Sequence, residues 1–99
     1  MAAVIRNVVT VKLRPDADAG RVEELIEAFR QMDCPGTLSY SVGRDAGMRE
    51  GNWSLAIVAD FTDAEAYRAY DADGEHNRLR GELAPLAEAI SRVQLDLPG

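Results

Sequence analysis

The chain has a single cysteine, Cys34, among its 99 residues. An internal disulfide is therefore impossible, and no cysteine cluster exists to hold zinc. A reducing cytoplasm is the expected compartment. No metal site is expected either, because one histidine with scattered carboxylates has no recognisable ligand spacing. Long apolar runs are also missing. No segment approaches the roughly 18 apolar residues that a membrane span requires, and the start, Met1-Ala2-Ala3-Val4-Ile5-Arg6, lacks a basic stretch leading into an apolar one. Neither export nor membrane insertion is expected. Positive charge is scarce: 11 Lys and Arg against 17 Asp and Glu leave a formal net charge of -6. Such a chain repels nucleic acid and anionic membranes at long range. Repeats and low-complexity tracts are absent.

What is present reads as one globular domain over residues 1–99, with 46% hydrophobic and 28% charged residues. A chain this short buries only about two-thirds of its unfolded surface by itself, so self-association would add useful burial.

Turn signals divide the chain into six elements. From Ile5 to Leu13 the residues alternate, with Ile5, Asn7, Val9, Val11 and Leu13 on one face. This predicts a strand. Arg14-Pro15-Asp16 ends it, and Val22, Leu25, Ile26, Phe29 and Met32 then recur at helical spacing behind Asp16 or Asp18 as N-cap. After Pro35-Gly36, two further strands are predicted. Thr37 to Val42 places Leu38, Tyr40 and Val42 on its apolar side, and Asn52 to Phe61 places Trp53, Leu55, Ile57, Ala59 and Phe61 there. The glycine-containing stretch between them, Gly43 to Gly51, lacks the Lys-Ser/Thr ending and following helix of a phosphate loop and reads as a long hairpin loop.

Thr62-Asp63-Ala64-Glu65 reads as a capping box that opens a second helical region carrying Tyr67 and Tyr70. Asp71-Ala72-Asp73-Gly74 interrupts it, with Gly74 able to turn the chain. Helical spacing resumes through His76, Leu79, Leu83 and Leu86, and Pro85 bends or restarts the last turn. A final strand, Ser91 to Leu97, carries Val93, Leu95 and Leu97 on one face, and its apolar side is expected to meet the helices. The order β-α-β-β-α-β predicts an α+β fold of ferredoxin-like type: a four-stranded antiparallel sheet with the helices on one face. The opposite face carries Val8, Thr10, Ser39, Ser41, Ser54, Ala56 and Val58. Small and β-branched, it suits packing against a second copy in a twofold dimer.

Three side chains are candidates for chemistry. Asn7 interrupts the apolar face of the first strand, so its amide either lines a cavity or bonds to backbone. His76 alone titrates near neutrality without a large perturbation. Tyr70 lies six residues earlier, which in one continuous helix sets the two side chains about 120° apart. The break at 71–74 allows them to converge, and a phenol and an imidazole in an apolar pocket suit enolate chemistry. A satisfied histidine and an ordinary core tyrosine explain the same spacing. Asp71, Asp73 and Glu75 read as a solvated acidic turn. Phe29, Trp53, Tyr67 and Leu79 are core residues that would line any cavity left beside the pair.

Taken together, Ile5-Arg6-Asn7-Val8-Val9-Thr10-Val11-Lys12-Leu13, Pro35-Gly36 with Leu38-Ser39-Tyr40-Ser41-Val42-Gly43-Arg44, Val58-Ala59-Asp60-Phe61, and Ala69-Tyr70 six residues before His76 resemble the stress-responsive A/B barrel domain (Dabb) family of the dimeric α+β barrel superfamily. The resemblance covers nearly the whole chain. It implies a homodimer whose sheets close a barrel, and a small-molecule pocket between sheet and helices, with no cofactor. Similarity to the olivetolic acid cyclase-type members implies cofactor-free aldol cyclisation of a linear polyketide, with His76 as base and Tyr70 as hydrogen-bond donor to the substrate oxygen. On that analogy Asn7, Phe29, Trp53, Tyr67 and Leu79 contact the substrate. Relatives carry histidine at the position of Asn7 and His-Pro at Asp73-Gly74, and an asparagine cannot shuttle a proton. Two other readings fit the same family: a non-catalytic stress-response or ligand-binding module, and a cofactor-free monooxygenase of the superfamily.

Overall fold

A computed structural model describes residues 4–98 and orders them as β1 (Val4–Leu13), α1 (Ala19–Arg30), β2 (Thr37–Arg44), β3 (Leu55–Phe61), α2 (Ala64–Asp71), α3 (Gly74–Leu83), a 3-10 turn (Ala84–Leu86) and β4 (Ala87–Leu97). The sheet order is β2-β3-β1-β4, and every neighbouring pair is antiparallel. This is the ferredoxin-like arrangement expected from the element order.

The inward face follows from β1. Val11 is fully buried and pairs across the sheet with Leu55 and Ile90. Directly opposed residues of antiparallel strands share a face. Val11, Val42, Leu55 and Ile57 accordingly pack against Val22, Leu25, Ile26 and Phe29 of α1 and against Leu79 and Leu83 of α3. Burying a side chain of this size contributes about 1.5–3 kcal/mol. A second cluster, Ala59, Phe61 and Tyr70, seats α2.

The helix starts are set by aspartates. Asp18 caps α1 through the Arg21 amide at 2.9 Å, Asp63 caps α2 through the Ala66 amide at 2.8 Å, and Asp73 caps α3 through the His76 amide at 3.0 Å. The α2 cap is thus Asp63 rather than Thr62, because the carboxylate is the acceptor that reaches a free amide of the first turn. Gly74 is the first residue of α3 and has no positive φ. The change of direction comes instead from Ala72, in the helical region, followed by extended Asp73.

Three strand assignments change. The third strand begins at Leu55, and Trp53 stands outside the core in the preceding connection, 37% exposed. Leu38 is 58% exposed because the β2–β3 register shifts between Thr37 and Ser39, leaving it as the extra residue of a bulge. The last strand starts at Ala87, and its faces are reversed: Gln94 pairs with Asn7 and Arg92 with Val9, so these polar residues share the inward face. Val93 and Leu95, 50% and 41% exposed, lie outward beside Val8 and Arg6. As an edge strand, β4 leaves its inward Arg92 and Gln94 exposed to solvent, which spares them desolvation.

Val93, Val8 and Val58 form a row across the outer face of β4, β1 and β3. Arg6 makes a bidentate pair with Asp60 on the same face, at 2.7 and 2.9 Å.

Candidate functional site

The break between α2 and α3 brings Tyr70 and His76 together. Tyr70 ends α2 against Phe61 and Ala59, and His76 sits one turn into α3, its amide held by Asp73. Their rings stack with centroids 4.0 Å apart and planes inclined by 29°. Both are buried, at 2% and 7% exposure. The Phe29 ring meets His76 edge-on from α1 at 6.4 Å.

Beside the stack lies a recess between sheet and helices. Its sheet wall is Asn7, Val9, Ile57, Ile90 and Arg92, and its helical wall comprises Phe29, Tyr67, Tyr70, Asp71, His76, Arg80 and Leu83. The void that a water-sized body can occupy is about 30 Å³, within about 440 Å³ when space open to solvent is counted. The inner void has room for one or two waters. Of the residues expected at a pocket, Asn7, Phe29, Tyr67, Tyr70 and His76 therefore line one recess. Leu79 is buried in the main core and does not reach it. Trp53 lies elsewhere, in a shallow recess with Thr10, Gly43, Asp45 and Ala56.

Asn7 is 3% exposed, and its Oδ1 accepts a 2.8 Å hydrogen bond from Gln94 Nε2. Its partner is a side chain rather than backbone. His76 Nδ1 is buried and has no hydrogen-bond partner among the described residues. Burial, reinforced by the nearby Arg80 guanidinium, holds the imidazole below its ordinary pKa, while Asp71 and the backbone of Asp71 and Tyr70 pull the other way. This lowering favours the neutral imidazole at pH 7.

The Tyr70 hydroxyl hydrogen-bonds the Tyr40 hydroxyl of β2 at 2.8 Å. Burial pushes Tyr40 up to about 12, and burial followed by the adjacent Tyr40 pushes Tyr70 up further. Both phenols thus remain protonated donors. Two hydroxyls joined by one O–H···O bond retain one further O–H for a third partner.

Sequence reading missed Tyr40, Arg80, Arg92 and Gln94 as parts of this arrangement. Arg80 was accessible in principle, since it lies four residues beyond His76 on the same helix face. Arg92 and Gln94 required the β1–β4 register. Among the described residues no three His, Cys, Asp or Glu side chains cluster as metal ligands would, and no helix is long and apolar enough to cross a membrane.

A four-stranded antiparallel sheet covered on one face by three helices, with a mixed polar and apolar recess beneath them, defines a ferredoxin-like α+β protein with a candidate small-molecule site. The family model of the stress responsive A/B barrel domain matches residues 5–98, and the chain belongs to that family. A dimeric ferredoxin-like protein of unknown function from Thermobifida fusca superposes with a TM-score of 0.91 at 26% identity, covering 98% of this chain and 93% of the other. A hydroxynitrile lyase from Passiflora edulis superposes with a TM-score of 0.85 at 13% identity, covering 99% and 96%. A Dabb family protein from Mesorhizobium loti superposes with a TM-score of 0.75 at 16% identity, covering 98% and 99%. No curated protein sequence gives a significant match.

Proposed function

We propose that this chain is a homodimer that binds a small, partly apolar carbonyl compound in the recess of each subunit and catalyses cofactor-free, aldol-type ring closure of a linear polyketide. The observation that carries this reading is the neutral His76 stacked on Tyr70 at the wall of a mixed polar and apolar recess. His76 takes a proton from the methylene flanked by two carbonyls. The resulting carbanion attacks a distal carbonyl carbon, forming the new C–C bond, and the alkoxide left on that oxygen recovers the proton from the imidazolium. The free O–H of the Tyr40–Tyr70 pair donates to the enolate oxygen. Asn7, held by Gln94, adds a polar contact without proton transfer.

Incubation of the protein with a linear β-polyketone in deuterated water tests this. Accelerated deuterium uptake at the activated methylene, with release of a ring-closed product, is the expected result. Uptake no faster than in buffer, with the ligand bound, would refute the enzyme.

That second outcome belongs to the rival reading, a non-catalytic ligand-binding module. Two observations favour the rival: the enclosed void is only about 30 Å³, and the Tyr70 hydroxyl already has a partner. Cyclisation therefore requires the recess to widen around its ligand.

The dimer reading rests on the outer sheet face, where Val8, Val58 and Val93 form an apolar row, and the related Thermobifida fusca protein is itself described as dimeric. Packing two such faces together buries the row in an isologous contact. Light scattering is expected to give about twice the 10.8 kDa chain mass. Val93→Asp places a charge in that contact and is expected to yield monomer with unchanged secondary structure. Dimer retained at micromolar concentration would refute the interface.

A further inference from the structure

The recess carries an unusual charge for this chain. Arg80 and Arg92 both line it, against one carboxylate, Asp71. Asp71 is committed to Arg80, whose Nη1 lies 3.1 Å from its Oδ1, and Arg80 also bonds Asn77. Arg92 makes no ion pair among the described residues. Tyr67 lines the recess with these three charges; burial raises the pKa of its phenol, Asp71 adds to the rise, and Arg92 and Arg80 oppose it. With His76 neutral, one positive charge is left uncompensated, in a protein whose formal net charge is -6.

From this arrangement we infer that the recess recognises a monoanion, a carboxylate on an apolar body, with Arg92 as the residue that selects it. The inference rests on the reading of the recess as a ligand site and adds the substrate class. A guanidinium presents parallel N–H donors that match the two oxygens of a carboxylate. Arg92 stands on the inward face of β4 next to Ile90, whereas Val9, Phe29, Ile57 and Leu83 offer the apolar body its contacts. The carboxylate sits at the open, solvated side of the recess, and the hydrocarbon points toward His76. A single free positive charge suits a monoanion better than a dianionic phosphate, which would leave one negative charge uncompensated.

Benzoate and its neutral isostere benzamide serve as probes. Each is titrated at low ionic strength while the imidazole proton resonances of His76 are followed by NMR, the chain having no other histidine. Wild-type protein is expected to bind benzoate about tenfold more tightly than benzamide. Arg92→Gln is expected to erase that preference, the benzoate affinity falling to that of benzamide. Arg68→Gln alters the same overall charge at an exposed α2 position outside the recess and is expected to retain the preference. If the two probes bind the wild type equally, the recess remains a ligand site and the carboxylate inference falls. If neither shifts His76, the ligand-site reading itself falls. Equal losses in Arg92→Gln and Arg68→Gln would reduce the effect to long-range charge and overturn the role of Arg92.

Discussion

Replacing His76 by alanine is expected to slow deuterium uptake at the activated methylene by about 10²- to 10⁴-fold, the range for loss of a positioned general base. Burial and Arg80 keep the imidazole neutral at pH 7, so the wild-type rate is expected to be level above pH ~6.5. It then declines on acidification as the ring protonates at its depressed pKa. The variant has no such group, and its residual rate follows buffer alone. Stability carries the same signature. Because the folded pKa lies below the unfolded value, the unfolded chain binds the proton more readily. The contribution of His76 is fully present above about pH 6.5 and is lost as the pH falls toward the folded value. Since alanine also removes a buried ring stacked on Tyr70 at 4.0 Å, the variant is expected to lose about 2 kcal/mol of stability. His76→Gln, closer in volume, separates this packing loss from the loss of the base. A rate retained by both variants, with the fold intact, would eliminate His76 as the base.

The second large effect concerns Gly36. Its φ is 84°, and a Cβ built there would lie 2.5 Å from Ala66 Cβ and 3.2 Å from Thr62 Oγ1. Its carbonyl also accepts the Thr62 amide at 2.9 Å. Gly36 therefore lets the entry to β2 press directly on the first turns of α2, the helix that carries Tyr70 in its last turn. Gly36→Ala is expected to lower the unfolding free energy by roughly 2–5 kcal/mol, combining the strain of a left-handed alanine with overpacking. Gly47 isolates the first contribution. Its φ is 75°, with nothing within 4 Å of a new Cβ, so Gly47→Ala is expected to lose only about 1–2 kcal/mol. Urea unfolding of both variants measures the difference. Equal losses would show that contact with Ala66 is not limiting.

Much of the fold was legible because alternation in β1 and helical spacing in α1 each name a buried face without knowledge of a partner. Trp53 was misread because the strand starts only at Leu55, whereas Leu38 and β4 were misread for a common reason. Alternation says which residues go together but not which side of the sheet they join. A bulge at Leu38 shifts that phase, and only pairing with β1 directs Arg92 and Gln94 inward. The candidate site divides along the same line. Asn7, Tyr70 and His76 were visible as chemically unusual residues on apolar faces or beside a break. Tyr40 looked like another apolar strand residue, since its hydroxyl acquires meaning only 2.8 Å from Tyr70. Arg92 looked like an ordinary exposed cation until the register set it against the recess.

Trp53, displaced from the core, is the only tryptophan in the chain. It stands beside Thr10 and Ala56, which pair across the outer face of the sheet, whereas the Tyr70–His76 stack belongs to the opposite face. The protein therefore has a built-in optical reporter that distinguishes its two surfaces. Its fluorescence is expected to shift when dilution separates the subunits and to stay constant when benzoate fills the recess. Assembly and ligand occupancy can then be followed independently in one unlabelled sample.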